Sequence, residues 1–124
     1  VKHLRINWTE GEKHFRNCLL DFNKANNVAQ WQWVAGCGAD AAPYFRIFNP
    51  ILQGEKFDKE GLYVKKWVPE LKRVPSKFIH KPWEMELKHQ DAIKTIIGKD
   101  YPKPIVIHEV ARQSALSAFQ TLKK

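Results

Sequence analysis

Residues 23–38 carry their own punctuation, and it commits this part of the chain to a helix. Asn23 is the kind of side chain that accepts a backbone N–H at a helix start. The run KANNVAQWQWVA after it holds neither proline nor glycine, and Gly36 and Gly38 stop it. Residues four apart on a helix share a face, so Asn27 and Trp31 look the same way, whereas Trp33 lies about 200° round from Trp31. The two indoles therefore serve different neighbours. Core anchoring explains either tryptophan alone, because an indole buries a large apolar surface and needs one hydrogen-bond partner. The adjacent amides Asn26 and Asn27 ask for more, since an amide is costly to bury without partners.

The same local grammar recurs along the chain. Thr9-Glu10-Gly11-Glu12 fits a capping box, and Phe15, Cys18, Leu19 and Phe22 follow at helical spacing, which predicts an amphipathic helix over 9–20 that Gly11 weakens slightly. Asn49-Pro50 opens a short helix toward Phe57, and residues 58–61 turn the chain. GLYVKKWVPEL spaces Tyr63, Val64, Trp67, Val68 and Leu71 by threes and fours until Pro69 disturbs the helix. Pro75, Pro82, Pro102 and Pro104 then punctuate a stretch with one expected helix, in DAIKTII. HEVARQSALSAFQTLKK puts Ala111, Ala115, Ala118, Phe119 and Leu122 on one face, with lysines at the C-terminal end where the helix dipole favours them. No alternating strand pattern competes and no repeat is visible. The expected class is all-α, as one domain over 1–124.

Twenty-one Lys and Arg against 13 Asp and Glu leave a net charge of +8. That charge suits a polyanionic partner, and equally a merely soluble, lysine-rich surface. Cys18 and Cys37 form no Cys-x-x-Cys pair, so reduced thiols and a cytoplasmic setting are expected, with neither a disulfide framework nor a zinc site. The five histidines never pair at i, i+4, so no metal site is expected. No apolar run is long enough to span a bilayer. Because the first residue is Val1, the chain reads as a piece of something longer. Gly-rich phosphate loops and Ser-His-Asp orders are both lacking.

Two further groupings carry chemistry. Asp21 and Asn23 flank the start of the 23–38 helix, where Asn23 serves as a cap or as an acceptor for a heterocycle's N–H. Arg46, Gln53 and Lys56, with Lys65, Lys66, Lys72 and Arg73, interleave with Tyr44, Phe45, Phe48 and Trp67. That pattern supplies charge for phosphates and flat rings for unstacked bases; a solvated basic face is the plain alternative.

W-Q-W, D-A-A-P-Y-F-R-I-F-N-P, Q-G-E-K-F-D, W-V-P-E-L, I-H-K-P-W and Y-P-K-P-I-V occur in this order and cover nearly the whole chain. In them the sequence resembles the C-terminal, flavin-binding region of the photolyase/cryptochrome family, closest to bacterial cyclobutane-dimer photolyases. The resemblance implies the C-terminal portion of a helical FAD-binding domain. The N-terminal antenna-pigment domain and the first part of the FAD domain would lie outside this chain. It implies FAD as cofactor, DNA carrying pyrimidine dimers as partner, and a monomeric full-length parent. Asn27 would sit beside flavin N5. Asp21, Phe22 and Asn23 would border the flavin ring, with Asn23 standing where the family usually has a second Asp. Trp31 and Trp8 would be the proximal and middle members of an electron relay whose outer tryptophan has no counterpart here. Trp33 would stack on the flipped-out dimer, and Arg46 and Gln53 would touch the DNA. The isolated segment is expected to hold FAD weakly and to leave DNA unrepaired. Two other readings stay open: a blue-light cryptochrome, and a basic helical DNA-binding module without catalysis. Asn27 and Trp33 argue against the first of these, because plant cryptochromes tend to have Asp and Tyr there.

Overall fold

The computed structural model describes residues 1–39 and 45–121, and all regular elements among them are helical. They are α1 (Trp8–Cys18), α2 (Lys24–Ala35), α3 (Pro50–Phe57), α4 (Leu62–Trp67), α5 (Leu87–Ala92) and α6 (His108–Gln120), with 3-10 turns at Pro69–Leu71, Ser76–Phe78 and Pro82–Glu84. The chain divides into two compact units: residues 1–47 with 106–124, and residues 48–105.

In the first unit α1 and α2 pack as an antiparallel pair joined by residues 19–23. The cap of α1 differs from expectation. Asn7, not Thr9, is the N-cap: its Oδ1 accepts from the Thr9 N–H at 3.1 Å and from the Thr9 hydroxyl at 3.0 Å, which occupies the side chain assigned to the capping box. Glu12, the other half of that box, is instead buried. Asn23 does cap α2, accepting from Asn26 N at 3.0 Å, and Gly36 ends it in the left-handed conformation at φ +79°. A methyl group at Gly36 would meet the Phe45 and Phe119 rings at 3.2 Å. Those rings stack at 4.2 Å, and α6 buries Ala111 and Ala115 in the same unit. His3 and His108 lie far apart in sequence, yet His3 Nε2 and His108 Nδ1 stand 2.9 Å apart.

In the second unit Leu71, Val74, Ile79 and Met85 form a small core. Gly61, at φ +67°, lets the chain turn directly over Ile79. Asn49 caps α3 through Ile51 N and Leu52 N, with Pro50 in the first helical turn. Pro69 ends α4 as expected, and the chain continues as a 3-10 turn. The helix expected in DAIKTII is displaced to Leu87–Ala92. Beyond Ala92 the buried Gln90 side chain takes the place of a helical carbonyl, accepting from Ile97 N at 2.8 Å, while its Nε2 donates back to Met85 O, ahead of the helix, at 2.7 Å. Lys94 then takes a positive φ of 55°. Ile97 and Tyr101 form an isolated bridge rather than a strand.

Candidate functional site

Three pairings define the seam between α1 and α2. Trp8 and Ala35 line one cavity of about 430 Å3, Gly11 lies under the Trp31 indole, and Glu12 meets Asn27. Phe15 adds an edge-to-face contact to Trp31, with ring centroids 5.1 Å apart at 76°. Asn27 and Trp31 therefore share the buried side of α2, as their spacing predicts.

Asn27 is only 7% exposed. Its Nδ2 donates to Glu12 O at 3.0 Å and to Glu12 Oε1 at 3.2 Å. A backbone carbonyl can only accept, so this contact fixes the amide's orientation. The Glu12 carboxylate is itself held by Arg16 one turn later, with Nη2 at 2.8 and 2.9 Å from its two oxygens. No described residue donates to Asn27 Oδ1. Because no buried side-chain oxygen or nitrogen among the described residues lacks a partner, that oxygen is not sealed in. The result is a nearly buried amide with its donors satisfied internally and its acceptor left open.

The remaining sequence candidates fall elsewhere. Trp33 points away from the seam and is 42% exposed. Asp21, Phe22 and Asn23 lie in the α1–α2 connection; Asp21 and Asn23 are exposed and Phe22 is half-buried. The Arg46 side chain is exposed, while its carbonyl accepts from Lys2 Nζ. Lys2 also lies 4.3 Å over the Phe45 ring, and burial pushes its pKa down. Gln53 is exposed on α3, in the second unit. Lys66 sits 4.9 Å over the Trp67 ring and Lys56 5.0 Å over Phe57. Tyr44 lies outside the described residues. Both cysteines are free and exposed, and no group of three metal-ligating side chains forms among the described residues.

The sequence reading missed Glu12 and Arg16 as site residues. Their signal was present: they stand four apart on one helix, and Glu12 is one residue from the Trp8/Gly11/Phe15 face. A carboxylate so close to a seam face seeks partners there.

The model of the FAD binding domain of DNA photolyase matches residues 1–121. The chain belongs to this photolyase FAD-binding family. It is 56% identical to a deoxyribodipyrimidine photo-lyase of Agrobacterium fabrum over 100% of this chain and 26% of that protein. Against the Escherichia coli photo-lyase it is 49% identical, over 100% of this chain and 25% of that protein. A crystal structure of a bacterial class III photolyase from Agrobacterium tumefaciens superimposes with a TM-score of 0.89 at 55% identity, covering 98% of this chain and 25% of that one. A Synechocystis cryptochrome superimposes at 0.86 with 35% identity, covering 94% and 24%. The chain thus spans about a quarter of the length of the photolyases it matches. No helix among the described residues is long and apolar enough to cross a membrane.

The seam's chemistry fits a flavin. One fixed acceptor, with no competing donor from the same amide, complements a ring N–H, and the Trp31 indole beside it offers an oxidisable ring on the same helix face.

Proposed function

We propose that this chain forms the flavin-facing and lesion-facing part of a light-dependent lyase that splits cyclobutane pyrimidine dimers in DNA. The single observation that carries the reading is the Asn27 amide, pinned by Glu12 with its oxygen left open, on a helix whose other side exposes Trp33. One helix then serves two clients.

With FAD bound, the open Asn27 oxygen would accept from the N–H at flavin N5 and so favour the reduced ring. Glu12 and Arg16 keep that oxygen from rotating away. Trp31 and, one turn of α1 before Gly11, Trp8 would form the route by which a bound flavin is resupplied with electrons. Asp21, Phe22 and Asn23 border the ring, and the exchange of a second carboxylate for Asn23 removes one negative charge there. Trp33 offers a flat surface to the extruded dimer, which costs less to unstack than an intact pair. Arg46 supplies charge for the phosphate backbone and Gln53 a polar contact to the DNA. When bound, light-excited reduced FAD supplies one electron to the cyclobutane ring and recovers it after the ring has split. No side chain here needs to act as a general acid.

The test uses the full-length, flavin-loaded protein and an oligonucleotide carrying one cyclobutane dimer. Repair is expected under blue light and not in darkness. Trp33→Ala should weaken binding of the damaged strand while leaving light-driven flavin reduction intact. A wild-type protein that reduces its flavin in light but never restores the dimer would favour the cryptochrome reading, for which the Synechocystis neighbour is the structural precedent.

A further inference from the structure

Gly11 stands inside α1, where glycine is the least favourable residue after proline. It is not there for backbone freedom, since its φ is not positive. Its neighbour gives the reason: a Cβ at this position would fall among the Cη2, Cζ3 and Cζ2 atoms of the Trp31 indole. Trp8, Gly11 and Phe15 follow one another on one side of α1, giving a ring, a gap and a ring. Trp31 occupies the gap, with Phe15 edge-on at 5.1 Å. Along the helix axis the gap is about 4.5 Å from Trp8.

We propose that Gly11 is the positioning residue of the tryptophan relay: by lacking a side chain it seats Trp31 against the α1 backbone, one turn from Trp8. The inference rests on the relay reading given above. With FAD bound, Trp31 would give one electron to the light-excited flavin, Trp8 would return one to Trp31, and a thiol reductant in solution would refill Trp8. Electron tunnelling falls steeply with distance, so the seat sets the rate.

Gly11→Ala in the full-length, flavin-loaded protein should slow light-driven reduction of the oxidised flavin several-fold, read by transient absorption. Flavin content should be retained, and so should dimer repair by protein reduced chemically beforehand. Unchanged photoreduction would overturn the proposal, as would an equal fall in photoreduction and pre-reduced repair. Melting temperatures keep the proposal testable if Gly11→Ala folds poorly. Alanine should lower the melting temperature when Trp31 is present and raise it in a Trp31→Leu background, where the smaller side chain leaves room for the methyl. The same drop in both backgrounds would show that the glycine does not serve the indole. Trp31→Phe separates the two readings: if it leaves photoreduction intact, the relay fails and this inference with it, whereas a loss for Trp31→Phe without one for Gly11→Ala sinks only the seat.

Discussion

Asn27 and Glu12 form a unit in which each residue answers the other's burial. Removing the carboxylate leaves the amide with a single acceptor and Arg16 without its partner. Glu12→Ala should therefore lower stability by about 1–3 kcal/mol, measured by denaturant unfolding of the full-length protein. Arg16 is about half exposed, which keeps the loss below that of a fully buried pair. The residues of this site were unevenly legible from sequence. Asn27, Trp31 and Trp33 could be assigned to faces because helical geometry is local and regular. Glu12 could not: its partner lies across the seam, and Thr-x-x-Glu offered a cheaper local explanation that the Asn7 cap displaced. Gly11 read as a mild defect, because only the packed indole reveals what the missing side chain makes room for.

At the scale of elements, caps were legible and irregular polar clamps were not. Asn23, Gly36 and Asn49 act through backbone groups within a few residues, so sequence spacing suffices to find them. Gln90 holds two backbone groups on either side of itself, and nothing in DAIKTII announces that a side chain will take the place of a helical turn. Asp58 is a cap of a longer reach: its carboxylate accepts from Tyr63 N and Val64 N at 3.2 Å, serving α4, whose own N-cap Gly61 has no side chain. His80 closes the same turn, its Nε2 donating to Asp58 O at 2.7 Å. Desolvation acts to raise the Asp58 pKa, but the N–H groups of Tyr63, Val64 and Leu62, with His80 nearby, hold it below the ordinary carboxylate range. A carboxyl depressed in the folded state stabilises above its unfolded pKa, and that contribution is lost as pH falls through the folded value. Asp58→Asn should therefore be less stable than the wild type at neutral pH. The gap should narrow as acid titrates the group from about pH 4 downward, read as melting temperature against pH for both proteins.

For the molecule as a whole, family and helical class were legible because long motifs in fixed order survive without coordinates. The surface, by contrast, shows its demands only in three dimensions. Leu20, Phe57, Leu62, Leu87 and Ile105 are each at least 70% exposed. With the chain spanning a quarter of its relatives' length, the 124 residues alone should retain FAD well below one per chain. Flavin absorbance after gel filtration checks this, and a stoichiometric yellow complex would contradict it. The α1–α2 seam has a different consequence. Among the described residues, the hydrogen bonds of the Asn27 amide and the Gly11 and Phe15 contacts of Trp31 lie within residues 8–35, whereas α6 rejoins its unit only after residues 48–105 have intervened. Short loops close early and long ones late, so in pulsed hydrogen exchange α1 and α2 should gain protection before α6. A nascent chain would then finish the Asn27–Trp31 seam long before it can close the unit that houses it.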